Sequence, residues 1–342
     1  MSQPKRHHIV PAFYLRRFAV NDQVTAVDRS DFTRSFTTSV DNVPVESQFY
    51  SIASDDGWDP AVEAFLANDI EGPAKRAIER LVEGRVALTL PGIRRRLSVF
   101  LAVQYVRGRA SRKANIDFFL ALTQKIARTM TAPMVQKYFN EQGEVCSLDE
   151  AQGIVEFARN TANYSVGLQP VGDRALPPDS LLHLQNALPN ADRLVPYFEQ
   201  RSWRILEFDE PCLVTGDEPV TPIGSFSGPG EPTGLAVAED VIFPLDPRHL
   251  LVMVRPDKRT AQRWRKCGVD QARDINQHIA FRAERHIIYQ PGTDPLNGMV
   301  LPEKAPMVRT VGDQVFMQLA VSKDAAAKFD ERFQKRPQSR GR

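Results

Sequence analysis

Lys5-Arg6-His7-His8-Ile9-Val10-Pro11-Ala12-Phe13-Tyr14-Leu15-Arg16-Arg17-Phe18 is the stretch of sequence around which the rest of the chain is arranged. It places two adjacent histidines, one proline, three aromatic residues and four cations within fourteen residues. Pro11 favours an extended conformation at Val10. We therefore predict a short strand or extended arm that leads into a turn of helix and lies between a helical block and a sheet.

Composition and charge narrow the class of protein. The chain has 342 residues, of which 42% are hydrophobic and 25% charged, and this balance is typical of a soluble globular protein. Its net charge of +2 gives no general attraction to nucleic acid or to a membrane. Binding of nucleic acid would therefore require a local basic patch.

Cysteine usage and hydropathy give expectations about the compartment. Cys146, Cys212 and Cys267 lie far apart and form no Cys-x-x-Cys pair, which argues against a disulfide framework and the usual zinc site. The longest apolar run, Leu97–Val106, is shorter than the ~18 residues that span a bilayer. The first residues also lack the apolar core of a signal peptide. We expect a cytoplasmic protein without a membrane partner.

The hydrophobic pattern predicts an α+β fold, in which a helical block packs on a mixed or antiparallel β-sheet with the N-terminal arm between them. The helical block covers about residues 60–198, and a mainly β portion covers about 203–290. A helix at Ile93–Arg109 is apolar on every side at its centre and should be buried. We expect one α+β domain over 1–333 and a disordered basic tail at 334–342.

The hydrophobic period and the turn residues also predict individual helices and strands. The pattern predicts a helix at Asp270–Glu284. It predicts strands at Val24–Asp28, Arg34–Val40, Trp203–Phe208, Cys212–Thr215, Val237–Pro244, His249–Val254 and His286–Tyr289.

His7 and His8 are the first candidates for chemistry. Neighbouring residues on a strand point to opposite faces, so only one of the two imidazoles can easily face a site. That histidine can serve as a general acid or base or as a metal ligand, or it can simply bind backbone and order the arm. His-His-Ile-Val-Pro locally resembles the first strand of ββα-metal nucleases. The metal-binding histidine of that fold, about thirty residues later, is missing, and the need for a divalent metal stays open.

Gln104 and Arg107 are polar residues within the apolar helix. A buried amide needs hydrogen-bond partners, and Arg107 reaches the same side of the helix three residues later. A buried guanidinium also needs an anion. This anion is either a carboxylate of the protein or a phosphate or carboxylate of a ligand.

The segment Val214-Thr215-Gly216-Asp217-Glu218-Pro219-Val220 predicts a sharp bend after a strand. Gly216 permits the bend, and Pro219 prevents the chain from continuing as a central strand. Asp217 is left at the bend, where a carboxylate can act as a base or bind a metal. It can equally form the turn by binding its own backbone, and both interpretations remain.

These segments together resemble an uncharacterised bacterial family, domain of unknown function 4238, from the arm to about Tyr289. The resemblance rests on the arm, Gln48-Phe49-Tyr50, Gln104-x-x-Arg107, Trp203, residues 214–220, Phe243-Pro244-Leu245-Asp246-Pro247 and Ile275-Asn276. Glu218 departs from the Asp-Asn-Pro of many relatives. The resemblance implies that the separate polar residues form one constellation. The residues themselves indicate nearly the same set, which includes Asn276 of the helix at Asp270–Glu284.

We hypothesise that these residues converge in one pocket suited to hydrolysis or transfer at a phosphoryl or acyl centre. The catalytic candidates are His7, His8 and Asp217, and the anion-binding candidates are Gln104, Arg107 and Asn276. Such an enzyme could be a nuclease-like protein of bacterial defence or conflict. It would bind nucleic acid through a local basic patch, composed of Arg94-Arg95-Arg96, Arg107, Arg109, Arg112 and Lys113.

The alternative is a non-catalytic binding module in which the polar residues fix the arm to the core. Substrate, cofactor and oligomeric state are not determined by the sequence.

Overall fold

The computed structural model describes residues 6–43, 45–47, 64–111, 129–167, 191–224, 233–256 and 264–302. The chain forms two compact units. We call Met1–Lys113 with Pro177–Pro306 the main unit, and Ala114–Leu176 with Met307–Arg342 the small unit. The expected basic tail at 334–342 lies outside the described residues, and the single domain over 1–333 stays a prediction.

Helices and strands alternate irregularly along the described chain. The helices are α1 (Ala12–Leu15), α2 (Gly72–Val82), α3 (Pro91–Arg107), α4 (Ala132–Glu141), α5 (Leu148–Gly167), α6 (191–199) and α7 (Val269–Arg282). A 3-10 turn, Arg16–Phe18, continues α1, and a π-helical turn, Leu66–Glu71, precedes α2. The strands are β1 (Arg6–His8), β2 (Gln23–Asp28), β3 (Asp31–Ser39), β4 (Val45–Ser47), β5 (Ser202–Phe208), β6 (Thr215–Gly216), β7 (Thr221–Ile223), β8 (Asp240–Asp246), β9 (His249–Val254), β10 (Trp264–Cys267) and β11 (His286–Tyr289).

The strands of the main unit form two larger sheets and one short ribbon. The five-stranded sheet has the order β10-β5-β9-β8-β7 and is antiparallel except for the parallel pair β10 and β5. The four-stranded sheet has the order β3-β2-β11-β6 and is antiparallel throughout. The ribbon pairs β1 with β4. The α+β prediction is confirmed, with the strands divided between a mixed and an antiparallel sheet.

Strand β8 separates two hydrophobic cores because its side chains alternate between the faces of the sheet. Val241 and Phe243 belong to the core that contains the arm and α3, whereas Ile242 belongs to a second core that contains residues of α7. Both faces of the strand are thus covered, which explains why its sequence is an almost unbroken apolar run.

The arm lies between the helices and the five-stranded sheet, as predicted. Ile9, Val10 and Tyr14 are fully buried. The Tyr14 ring stacks on Phe243 of β8 at a centroid distance of 4.9 Å, and the neighbouring Phe13 contacts Phe100 of α3 at 5.6 Å. The arm therefore connects the helical layer to the sheet through adjacent aromatic rings.

Helix α3 is buried over most of its length, which confirms the interpretation of its apolar centre. Ten of its seventeen residues are buried, including Gln104 and Arg107. Pro91 suits the first turn, since an N–H is not needed there. Among the described helices, none is both long and apolar enough to cross a bilayer.

The small unit contains α4 and α5. Helix α5 begins with a capping box, in which Ser147 Oγ accepts the Glu150 N–H at 3.2 Å and Glu150 Oε2 accepts the Ser147 N–H at 2.8 Å. The two reciprocal bonds satisfy backbone groups that the first turn of the helix leaves free.

Candidate active site

Gln104 fixes the backbone of the arm. Its Nε2 donates to the carbonyl of Ile9 at 3.2 Å, and its Oε1 accepts from Arg107 Nε at 2.9 Å. Arg107 Nη1 in turn donates to Glu71 Oε1 at 2.9 Å. The anion beside Arg107 is thus a carboxylate of the protein. Arg107 Nη2 is buried without a hydrogen-bond partner among the described residues, and binding of a ligand anion by this pair stays a prediction.

Tyr14 joins the arm to the bend at residues 214–218. Its hydroxyl donates to the carbonyl of Pro244 at 2.9 Å and lies 2.8 Å from Thr215 Oγ1. Because the phenol has a single proton, the Thr215 hydroxyl is the donor in the second bond. Complete burial raises the pKa of Tyr14 far above its usual value, so the phenol stays neutral.

His7 and His8 lie on β1, where their backbones pair with Glu46 and Val45 of β4. The side chains of both histidines lie outside the described part of the chain. Their predicted catalytic role therefore stays a prediction.

Asp217 ties the bend to the segment that follows α7. Its two carboxylate oxygens accept the backbone N–H groups of Glu284 at 2.9 Å and Arg285 at 2.8 Å. The side chain is fully buried, and this desolvation raises the pKa of Asp217, against the opposing effects of the two amides and of Arg109. Both oxygens are thus bound by a distant segment and not by the backbone of the bend itself, so the structural role of Asp217 differs from the predicted turn, and its role as a base or metal ligand stays a prediction.

Asn276 of α7 holds the extended segment that precedes the bend. Its Nδ2 donates to the carbonyl of Cys212 at 2.7 Å, and its Oδ1 accepts the N–H of Val214 at 3.0 Å. The Asn276 side chain thereby makes the backbone hydrogen bonds that a neighbouring strand would otherwise make. Only 1% of the residue is exposed. Of the strand predicted at Cys212–Thr215, only Thr215 lies in a strand, β6.

Glu218 is the residue by which this chain differs from many relatives, and it is buried as well. It accepts the backbone N–H of Ala110 at 2.7 Å and lies 3.9 Å from Arg282 Nη2. Burial raises the pKa of Glu218 to about 7, with Arg282 opposing the increase. The carboxyl group of Glu218, with its pKa raised to about 7, therefore ties the bend to the residues that follow α3.

Two arginines of the predicted basic patch, besides Arg107, bind other groups of the protein. Arg94 donates to the carbonyls of Glu199 and Arg201 and stacks over Trp203, 4.6 Å from the ring centroid. Arg95 forms an ion pair with Glu199 at 3.3 Å. Arg112 and Lys113 lie outside the described residues.

A cavity of about 380 Å³ lies on another part of the main unit, between the arm, α2 and the β8–β9 hairpin. None of the six predicted site residues is among the described residues that line it. Those lining residues are Phe13, Arg16, Arg17, Lys75, Glu79, Asp246, Pro247, Arg248, His249 and Gln290.

Asp246 and His249 form a pair at the tight turn between β8 and β9. His249 Nδ1 lies 2.8 Å and 2.9 Å from the two oxygens of Asp246. The carboxylate also accepts the N–H of Arg248 at 2.8 Å and binds Arg17 Nη2 at 3.2 Å. Burial raises the pKa of Asp246, but His249, Arg248 and Arg17 outweigh burial and hold it below its usual value.

The orientation of His249 leaves one ring nitrogen free to act as a base. With Nδ1–H donated to Asp246, Nε2 of the neutral ring is the acceptor. The nearest carboxylate oxygen to Nε2, on Glu207, is 3.9 Å away, beyond a hydrogen bond. The imidazole of His249 and the ring of Trp264 also pack nearly perpendicular to each other, with centroids 5.7 Å apart. The imidazole is therefore fixed in position, and Nε2 makes no hydrogen bond within the described part of the chain.

Four cations and two carboxylates line the cavity, and two of the cations are paired with carboxylates. Arg17 binds Asp246, and Arg16 pairs with the exposed Asp22 and Asp41. Lys75 forms no ion pair within the described part of the chain. Arg248 donates to the backbone carbonyl of Asp209 and also pairs with no carboxylate in that part. Lys75 and Arg248 are therefore the lining cations that can attract an anionic ligand.

Sequence reasoning missed this site because Asp246-Pro247-Arg248 has the pattern of a simple turn. The signal that could have revealed the site was Asp246, three residues before His249 at the predicted hairpin. Asp246 lies within the Phe-Pro-Leu-Asp-Pro motif, and His249 follows that motif. No cluster of three or more residues that could hold a metal ion occurs in the described ranges.

Fold and cavity together define an α+β protein with an oriented histidine–aspartate pair at a basic cavity. Residues 6–293 match the model of the family described as protein of unknown function (DUF4238), and the chain therefore belongs to this family. No curated protein and no solved structure matches the chain.

Proposed function

We propose that the protein is a hydrolase or transferase that acts on a phosphoryl centre bound in the cavity beside the β8–β9 hairpin. One observation carries the proposal. Both oxygens of Asp246 lie within 2.9 Å of His249 Nδ1, on the wall of a cavity lined by four cations. Lys75 and Arg248, which pair with no carboxylate in the described part of the chain, favour a phosphoryl centre over a neutral acyl centre, because a phosphate ester carries negative charge.

In the proposed reaction His249 is the general base. Its Nε2 accepts a proton from water or a hydroxyl group while the oxygen of that group bonds to phosphorus. The bond between phosphorus and the leaving oxygen breaks, and the imidazolium returns the proton to this oxygen. Asp246 keeps Nδ1 protonated and stabilises the imidazolium. Lys75 and Arg248 balance the charge on the phosphate oxygens.

The residues predicted from sequence remain part of the proposal. Catalysis by His7, His8 or Asp217 and anion binding by Gln104, Arg107 or Asn276 stay predictions. For this reason Asp217→Asn belongs in the same series of variants as the cavity residues.

The second candidate function is a non-catalytic binding module. It is favoured by one specific observation: Gln104, Asp217 and Asn276 each bind backbone groups of distant segments. In that case their polar atoms stabilise the fold and carry no chemistry.

We also propose that the protein works in the bacterial cytoplasm, in defence or conflict, with nucleic acid as one candidate partner. The three cysteines are free, as is usual for proteins of a reducing compartment.

Hydrolysis by the purified full chain tests the proposal. The substrates are bis(p-nitrophenyl) phosphate for phosphoryl transfer and p-nitrophenyl acetate for acyl transfer. We expect His249→Gln and Asp246→Asn to lower kcat for the phosphodiester at least about 100-fold, the usual contribution of a general base. The matched control is His278→Gln, because this histidine is partly buried on α7 and does not line the cavity.

Thermal unfolding of each variant separates loss of activity from loss of fold. Activity that survives in His249→Gln, or an absence of hydrolysis in the folded wild type, favours the binding module. A loss of hydrolysis in Asp217→Asn alone, with a normal melting temperature, would indicate that the active site lies at the bend and not in the cavity.

A further inference from the structure

The size of the cavity limits its ligand to a small molecule. Sites for drug-sized ligands measure about 300–1,000 Å³, and the volume here is about 380 Å³. A protein that follows duplex DNA instead presents an extended basic surface to many phosphates. The cavity therefore suits one nucleotide-sized group.

Phe13 contributes an aromatic side chain to the lining of the cavity. The residue is partly buried, and its ring contacts the ring of Phe100, with centroids 5.6 Å apart and the planes tilted by 58°. Phe100 is itself only 1% exposed, so it supports Phe13 from the core. A supported aromatic ring beside cations is the arrangement on which nucleobases stack.

The polar lining residues supply what the rest of a nucleotide needs. Lys75 and Arg248 can bind a phosphate group, and neither pairs with a carboxylate within the described residues. Glu79 can accept hydrogen bonds from sugar hydroxyls, and the Gln290 amide can both donate and accept at the edge of a base.

We infer that the cavity binds a nucleotide, either free or at the end of a single strand, with its base on Phe13 and its phosphate among the cations. This inference rests on the proposed function and specifies its substrate class. It combines three separate observations: the volume of the cavity, the aromatic lining residue Phe13, and the lining cations Lys75 and Arg248, which pair with no carboxylate in the described part of the chain.

Isothermal titration calorimetry on the full chain tests the inference with defined probes. The probes are adenosine 5′-monophosphate, ribose 5-phosphate, inorganic phosphate and a 5′-phosphorylated DNA hexamer. We expect the nucleotide to bind about 5- to 150-fold more tightly than ribose 5-phosphate, which is the range of one stacking contact. Comparable binding of the hexamer identifies a strand end, and binding of the monophosphate alone identifies a free nucleotide.

Variants of Phe13 test the stacking contact itself. Phe13→Leu should remove most of the preference for the nucleotide and leave the Kd of inorganic phosphate unchanged, while Phe13→Tyr should retain the preference. Phe36→Leu is the control, because Phe36 is an exposed phenylalanine of β3 that does not line the cavity. Melting temperatures show whether each variant is folded.

Failure of the inference is distinguishable from failure of the proposed function. Equal affinity for nucleotide and ribose 5-phosphate overturns nucleotide recognition even if phosphodiester hydrolysis still depends on His249. Conversely, hydrolysis that is independent of His249 overturns the proposed mechanism even if the nucleotide binds tightly through Phe13.

Discussion

Gly108 has no space for a side chain, because the carboxylate of Glu218 lies directly against it. A Cβ atom at this position would overlap the carboxylate oxygens. The carboxylate cannot retreat freely, since it is buried and accepts the N–H of Ala110 at 2.7 Å. The position of the Glu218 carboxylate therefore requires glycine at residue 108.

We predict that Gly108→Ala lowers the free energy of unfolding by about 1–3 kcal/mol, the cost of leaving a buried polar group without its partner. Urea denaturation measures the loss. Gly92→Ala is the matched control, because Gly92 lies in the first turn of α3 and an added Cβ would meet no atom within 4 Å. Alanine there should be neutral or slightly stabilising.

A double-mutant cycle identifies the cause. If the clash with Glu218 is responsible, Gly108→Ala costs less in a Glu218→Ala background. An equal loss in both backgrounds would contradict this explanation.

The extended segment before the bend is held by a helix and not by a strand. Asn276 of α7 binds both the carbonyl of Cys212 and the N–H of Val214. A side chain thus takes over the pairing that a sheet would normally supply, and it positions the segment that carries Asp217.

We predict that Asn276→Ala lowers the free energy of unfolding by about 2 kcal/mol or more, since two buried backbone groups lose their partners. The neighbouring Gln277→Ala should change it by less than about 0.5 kcal/mol, because Gln277 makes only a surface bond to Val300. Chemical denaturation compares the two variants. Equal losses would mean that the bonds of Asn276 are not what stabilises the segment.

Strands and helices with a clear period were predictable from sequence. Strand β11 was predicted with its bounds, His286–Tyr289, and so was β9, His249–Val254. Strand β10 was missed because its centre is Arg265 and Lys266, which are exposed and break the apolar alternation. The segment at Cys212 was misassigned because its partner is the side chain of Asn276, which no strand pattern reveals.

The cavity could not be predicted because its residues come from distant parts of the chain. Arg17 and Asp246 are 229 positions apart, and a local pattern gives no reason to join them. The resemblance included Asp246 within Phe-Pro-Leu-Asp-Pro but gave it no role. Only the folded geometry shows that His249 is oriented by this carboxylate.

The bend gives the whole molecule an unusual dependence of stability on pH. Burial raises the pKa of Glu218 from its ordinary value of 4.5 to about 7, and it also raises the pKa of Asp217. Between about pH 4.5 and pH 7 the folded chain keeps a proton on Glu218 that the unfolded chain has lost. Stability should therefore fall as pH rises through this window, and the full loss is present above pH 7.

Glu218→Gln removes this titration and keeps an oxygen that can accept the Ala110 N–H. We predict that the melting temperature of the wild type falls relative to that of the variant between pH 5 and pH 8. Circular dichroism at several pH values measures both curves, and the difference between them cancels other titrating groups. Parallel curves would show that Glu218 is ionised in the folded protein throughout.

The bonds of Tyr14 also constrain the order of events during synthesis on the ribosome. Its two polar partners, Thr215 and Pro244, follow it by 201 and 230 positions. At about 5–20 residues per second, these partners emerge on the order of 10 to 50 s after the tyrosine. During this delay the arm carries apolar side chains that have no sheet to cover them. Nascent chains should therefore hold residues 9–18 accessible to chaperones or proteases until translation has passed β8.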